Sequence, residues 1–175
     1  MAKPSRWSRF RETRSVPCGD VPVEKGWDNG YWKPGKRSET VNTHRYLLDT
    51  SALFAFMEDE EGAERVEEIL RQGEILLPFP VLLEVYYITL REQSESLADE
   101  RYALLRSLGA TEIWQVDEPL LLTAARLKAR YRLSFADSLI AACAVRYQAV
   151  LVHKDPEYEQ LAAVVPQETL PYRKM

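Results

Sequence analysis

Residues 45–57, RYLLDTSALFAFM, carry the reading that decides the fold. Arg45 to Leu48 is a short run suited to a strand, Asp49 closes it, and Ser51 to Met57 continues with apolar side chains at helical spacing. The same alternation repeats down the chain. Gly62 to Leu70 has a helical pattern, and Ile75 to Leu77 reads as a second strand ahead of Pro78 and Pro80. An apolar helix is predicted from about Val81 to Arg91 and another from about Leu97 to Leu108, with Gly109 as its stop. Ile113 to Val116 reads as a third strand, Pro119 to Tyr131 and Phe135 to Tyr147 as helices, and Ala149 to Val152 as a fourth strand. A short helix near Pro156 to Ala162 and a last edge strand at Val164-Val165 complete the pattern. Strands separated by helices predict an α/β fold, a mostly parallel sheet covered on both faces.

A chain of 175 residues accommodates one domain and an appendage. The first 44 residues are that appendage: they hold four of the seven glycines and four of the ten prolines, and no helix or strand period runs through them. Arg6, Arg9, Arg11 and Arg14 lie near the front, with Trp7, Trp27 and Trp32 among them. Three readings of this irregular N-terminal arm stand open: a loosely docked segment, an RNA-touching segment using charge and stacking, or an extension upstream of a natural start near Val41. Residues 45–175 form the predicted domain.

No stretch approaches the ~20 apolar residues of a membrane span, and no secretory-type apolar run opens the chain, so a soluble cytoplasmic protein is expected. Cys18 and Cys143 sit in dissimilar surroundings, which argues against a disulfide framework, and with His44 and His153 they lack zinc-ligand spacing. Charge is divided unevenly. Residues 1–45 carry ten Lys or Arg against five Asp or Glu, while residues 46–175 carry thirteen against twenty-two. Phosphate contacts need cationic side chains, so an acidic body excludes a general nucleic-acid binder and leaves only a local or metal-bridged contact.

Four acids stand where apolar segments meet helix starts: Asp49, Glu84, Asp137 and Asp155. Ligands in open parallel sheets collect outside the carboxyl ends of the strands, so Asp49 and Asp155 are expected on one rim. Each acid also has an ordinary structural use. Asp49 can cap the helix at Thr50 or Ser51, Asp155 with Pro156 is a common helix start, and Ser134-Phe135-Ala136-Asp137 resembles a capping box. Glu84, set among Val81 to Ile88, is expected to be buried, either against a cation of the chain or against a metal. Two carboxylates about 4 Å apart repel by ~4 kcal/mol at an effective dielectric near 20, which a cation relieves. Mg²⁺ and Mn²⁺ favour oxygen ligands, retain water and lower its pKa, which suits phosphodiester hydrolysis.

Tyr46-Leu47-Leu48-Asp49-Thr50-Ser51-Ala52-Leu53, the helical Glu84, Ser134-Phe135-Ala136-Asp137-Ser138-Leu139-Ile140-Ala141-Ala142 and Val150-Leu151-Val152-His153-Lys154-Asp155-Pro156 resemble PIN-domain ribonucleases. The nearest type is the VapC toxin of toxin–antitoxin pairs. The resemblance spans about residues 45–172 and includes the closing Leu170-Pro171-Tyr172. It implies a three-layer α/β/α domain whose acids converge on one or two Mg²⁺ or Mn²⁺ ions for RNA cleavage. By motif position it makes Asp49 and Asp137 the principal metal ligands, Glu84 a ligand or water-mediated base, and Asp155 a peripheral acid. Ser51 would hold the first loop and the site by hydrogen bonding. It further implies a homodimer held inactive by a small antitoxin. His153 stands where many relatives carry Thr or Ser, which unsettles the local hydrogen-bond network.

Rival readings fail on particular residues or leave one unused. A phospho-acceptor signalling domain would have to use Asp117 as its acceptor and leave Asp137 without a role. A haloacid-dehalogenase-like phosphatase needs an acid where Ser51 stands. A non-catalytic module on the same fold would tolerate loss of acids, and all four are present. Within the enzyme reading, a housekeeping RNA-processing nuclease without an antitoxin is the alternative.

Overall fold

The computed structural model describes Arg6 and residues 45–172. The predicted arm, residues 1–44, lies outside the described residues except for Arg6. That side chain reaches the domain: its guanidinium is 2.7 Å from both Asp59 and Glu67 and 3.5 Å from Glu64.

Five strands, β1 (Arg45–Leu48), β2 (Glu74–Pro78), β3 (Thr111–Ile113), β4 (Val150–His153) and β5 (Gln167–Thr169), pair in the order β3-β2-β1-β4-β5. Every pairing is parallel. Leu47 lies opposite Leu76 of β2 and Leu151 of β4, which puts an unbroken apolar row across the centre. Neighbouring strand residues point to opposite faces, yet Leu47 and Leu48, Leu76 and Leu77, and Leu151 and Val152 are all fully buried. Both faces are therefore covered, the arrangement that parallel crossovers require. The helices are α1 (Thr50–Met57), α2 (Ala63–Gln72), α3 (Phe79–Glu92), α4 (Glu95–Ser107), α5 (Glu118–Arg130) and α6 (Phe135–Arg146). Phe56 of α1 and Ile140 of α6 are completely buried in the same core. Fully burying each such side chain contributes about 1.5–3 kcal/mol. Cys143 is a free buried thiol that desolvation pushes up to about 12.

The elements follow the predicted alternation, with three shifts that have physical causes. Helix α3 starts at Phe79, ahead of the predicted Val81, because Pro80 falls in its first turn, where a missing N–H costs nothing. Strand β3 stops at Ile113 although Trp114 to Val116 were expected to continue it. Its partner β2 ends with it: Ile113 is opposite Pro78, and the next residue of that chain segment already belongs to α3. The last strand is the polar Gln167–Thr169, not Val164-Val165. Those two valines instead donate their N–H groups to Leu161 O, closing a 3-10 helix at Pro156–Leu161, and Val165 plugs the core. Gly109 does end α4 as predicted: its φ of +67° lies in the left-handed region that glycine enters without a Cβ penalty.

Candidate active site

The strand order reverses direction at β1, with β2 on one side and β4 on the other. Such a switch point opens a crevice at the carboxyl ends of the strands. Asp49 leaves β1 there, and its N–H donates to Val152 O at 2.9 Å, so the ladder fixes its backbone one residue past the strand. Asp155 leaves β4 on the same rim, as predicted.

Asp49 is 4% exposed and forms the floor of the site. Its Oδ2 accepts from Ser51 N at 3.0 Å and Ser51 Oγ at 2.5 Å, and Ser51 Oγ in turn accepts from Lys154 N at 2.9 Å. One serine thus ties the loop after β1 to the loop after β4. Asp137 sits in the first turn of α6, where the capping box is complete: Ser134 Oγ accepts from Asp137 N, and Asp137 Oδ2 accepts from Ser134 N. Asp155 caps the 3-10 helix, its Oδ1 accepting from Glu157 N at 2.8 Å. The capping readings of all three acids therefore hold, and they do not compete with a site. Each cap engages one carboxylate oxygen and leaves the other for a second partner.

Glu84 corrects an expectation. The run from Val81 to Ile88 is not buried all round: Leu83 is 58% exposed, Tyr87 is also exposed, and Glu84 itself is half-buried. The reason is that α3 turns one stripe outward, and apolar side chains remain on it. No Lys or Arg among the described residues pairs with Glu84; its Oε2 accepts from Thr50 Oγ1 at 2.6 Å. Thr50 adjoins Asp49, so this bond joins α3 to the floor of the site.

The residue that sequence reasoning missed is Tyr158. Its side chain is completely buried, and its hydroxyl lies 3.1 Å from Asp49 Oδ1 and 3.0 Å from Asp137 Oδ1. The only sequence signal is weak: Tyr158 falls about one turn after Asp155, in a segment otherwise rich in acids. His153 lies behind it. Their rings are 5.1 Å apart at 57°. The Gln167 amide, with its nitrogen turned inward, donates to His153 Nε2 at 3.1 Å and to Tyr158 O at 2.9 Å. His153 Nδ1 is buried with no hydrogen-bond partner among the described residues. The unusual histidine therefore supports the tyrosine.

Electrostatics draw the four acids into one group. Desolvation holds the Asp49 carboxyl above its ordinary range, the hydrogen bonds from Ser51 oppose that, and the charge of Asp137 raises it further. Desolvation likewise raises Glu84, with Thr50 opposing and the charges of Asp49, Asp137 and Asp155 adding to the rise. Tyr158 is held well above the usual phenol range by burial and by the same two aspartates. The donor set fits a small hard cation: all carboxylate oxygens, mutually repelling, with Asp49 and Asp137 within reach of one hydroxyl. As placed, no three Asp, Glu, His or Cys side chains among the described residues group tightly enough to hold an ion together. The Asp49–Asp137 pair is the part of the set already assembled.

The PIN domain family model matches residues 46–164, and the chain belongs to that family. PIN domains are nucleases that generally use divalent metal ions, which assigns the protein to nuclease-type hydrolases at family level. Among solved structures, VapBC2 of Rickettsia felis bound to a DNA fragment from its promoter is similar, with a TM-score of 0.59 and 17% identity over 73% of this chain and 99% of that one. VapBC-1 of nontypeable Haemophilus influenzae gives 0.58 and 19% over 71% and 97%. VapBC-5 of Mycobacterium tuberculosis, a toxin–antitoxin system member, gives 0.52 and 22% over 74% and 99%. At these identities the likeness is one of fold. No curated protein matches the chain. No helix among the described residues is long and apolar enough to cross a membrane.

Proposed function

We propose that this chain is a divalent-metal-dependent endoribonuclease of VapC type, the toxin of a cytoplasmic toxin–antitoxin pair, with its activity in residues 45–175 and residues 1–44 as an appendage. The observation that carries the reading is the Asp49–Asp137 pair at the carboxyl end of the sheet, the first buried and the second half-buried, shared by one hydroxyl. Asp49 and Asp137 are the principal ligands for Mg²⁺ or Mn²⁺. Glu84 is a further ligand or a water-mediated base, and Asp155 contributes charge from the rim. Ser51 keeps Asp49 pointed into the crevice while anchoring Lys154 N. When bound, the metal supplies Lewis acidity toward a phosphoryl oxygen and a more acidic water. Glu84 is suited to take a proton from an attacking water, because its desolvated carboxyl is a stronger base than an exposed one. Hydrolysis then breaks one P–O bond of the backbone as the water oxygen forms another.

The partner side of the proposal rests on the VapBC complexes to which the fold is similar. A small antitoxin is the expected inhibitor, and a homodimer the expected assembly. Exposed apolar side chains are consistent with a protein partner: Leu83 and Leu90 on α3, Trp114 at 50% exposure, and Leu121 and Leu122 on α5. A groove of about 540 Å³ opens between Phe79, Leu83 and Trp114.

The test is cleavage of single-stranded and structured RNA by purified protein with Mn²⁺ or Mg²⁺, with EDTA, and with Asp49→Asn as a contamination control. Metal-dependent cutting lost in Asp49→Asn is the expected result. Cutting that survives EDTA or Asp49→Asn refutes the metal mechanism. A short DNA-binding gene beside this one, whose product copurifies and suppresses cutting, is expected for a toxin; its absence favours the RNA-processing nuclease.

A further inference from the structure

Tyr158 is a fully buried polar side chain of the site whose hydroxyl meets both aspartates and to which the proposed reaction gives no role. We propose that it is a positioning residue: its hydroxyl braces the carboxylates of Asp49 and Asp137 at the separation and orientation that a divalent cation requires. The inference rests on the nuclease reading, since it takes those two aspartates as metal ligands.

Three observations carry it. First, the hydroxyl lies at 3.1 and 3.0 Å from one oxygen of each aspartate, while each remaining oxygen is held elsewhere, by Ser51 for Asp49 and by Ser134 N for Asp137. Both carboxylates are thereby fixed in rotation, and the protein donors leave further lone pairs free. Second, the brace links three segments that no backbone hydrogen bond among the described residues joins directly: Asp49 after β1, Asp137 in α6 and Tyr158 in the 3-10 helix. Third, the ring is itself fixed. It is completely buried, packs on His153, and has its carbonyl held by Gln167. Immobilised second partners of metal ligands typically change affinity 10- to 100-fold when removed. A phenol has one proton to donate, so the hydroxyl serves the two oxygens in turn and keeps both within its reach. Nothing else in the described site contacts Asp49 and Asp137 together by hydrogen bonds.

Tyr158→Phe removes the hydroxyl and keeps the ring, so it separates bracing from packing. Mn²⁺ binding to the full chain is followed by electron paramagnetic resonance of free and bound ion, together with thermal melts. Tyr86→Phe is the control, because it also removes a hydroxyl bonded to a carboxylate, that of Asp99. The expected result is Mn²⁺ affinity at least tenfold weaker in Tyr158→Phe, a smaller metal-induced rise in melting temperature, and wild-type binding in Tyr86→Phe. Affinity within twofold of wild type in a folded Tyr158→Phe protein overturns the brace while leaving the metal reading intact. No Mn²⁺ binding by wild type overturns the metal reading and the brace with it. A measurement on the wild type avoids dependence on the variant's folding: with tyrosine labelled at Cζ, Mg²⁺ is expected to move the Tyr158 resonance. A resonance unmoved at saturating Mg²⁺ overturns the proposal.

Discussion

Asp49→Asn separates a helix cap from a metal ligand, because asparagine caps a helix about as well as aspartate does. The magnitude follows from the geometry. Asp49 Oδ1 and Asp137 Oδ1 lie 3.1 and 3.0 Å from one hydroxyl, so they are no more than about 6 Å apart. At an effective dielectric of about 20, two unit charges at that distance repel by about 3 kcal/mol. The substitution removes this repulsion. It also weakens the bonds from Ser51 Oγ and Tyr158 OH, each by about 1 kcal/mol, as a charged acceptor becomes neutral. The metal-free variant is therefore more stable than wild type by about 1 kcal/mol, or roughly 3–4 °C for a domain of this size. Wild type with Mn²⁺ at a hundredfold excess over its dissociation constant gains about 2.7 kcal/mol, roughly 10 °C, while the variant gains little. The order of melting thus inverts between EDTA and Mn²⁺. Thermal melts followed by circular dichroism at equal protein concentration measure both arms. A variant that melts several degrees below wild type in EDTA would show that the carboxylate acts as a net stabilising cap, and a variant that keeps the full Mn²⁺ gain would remove Asp49 from the metal site; either result refutes the reasoning.

Three other outcomes follow from the same structure. Because Asp49 and Glu84 titrate above their ordinary ranges in the folded state, their protonation stabilises it: the gain is absent above the folded values, grows as pH falls through them, and is complete below the unfolded carboxylate range near pH 4. Metal-free wild type should gain stability relative to Asp49→Asn as pH is lowered from 7 toward the unfolded carboxylate range near pH 4, and urea titrations showing a constant or reversed difference would contradict this. Ser51→Ala leaves the Lys154 N–H without its acceptor and Asp49 without two-point support, at a cost of about 1–3 kcal/mol by urea titration together with weaker Mn²⁺ binding; unchanged values for both would detach Ser51 from the site. Leu47→Ala in the central strand should lose about 2–5 kcal/mol, since its side chain is fully buried, and a loss below 1 kcal/mol would mean that the core is not centred on β1.

What could be read from the sequence, and what could not, divides along physical lines. The order of strands and helices was legible because each element carries its own period and its own stop, such as Gly109 after α4. The ends of β3 and β5 were not, because they depend on partners: Ile113 stops where Pro78 stops, and Gln167 becomes a strand only by lying beside β4. Asp49, Asp137 and Asp155 were legible because a carboxylate at a helix start leaves a local signature. The surroundings of Glu84 were not legible, since an apolar run does not reveal which of its stripes faces outward. Tyr158 was invisible for a different reason. A tyrosine in a core looks the same in sequence whether its hydroxyl meets a backbone carbonyl or a pair of carboxylates.

The structure also explains how a fold can keep such a crowded set of acids without unfolding. Asp49, Asp137 and Asp155 each sit at the amino end of a helical segment, where free N–H groups and the positive end of the helix dipole meet them. Each such contact contributes a few tenths to about 1 kcal/mol, enough to offset part of a repulsion of about 3 kcal/mol but not all of it. The Ser51, Thr50 and Tyr158 hydroxyls supply further donors, yet Asp49 and Glu84 still titrate high, so the compensation is incomplete. An incompletely compensated cluster is what a metal site needs. If the helix termini neutralised the carboxylates fully, a cation would gain little by entering, and if they contributed nothing, the metal-free domain would lose the stability that β1 and its neighbours provide. The same carboxylates thus cap the helices and retain unrelieved charge, which is what the proposed divalent-metal site calls for.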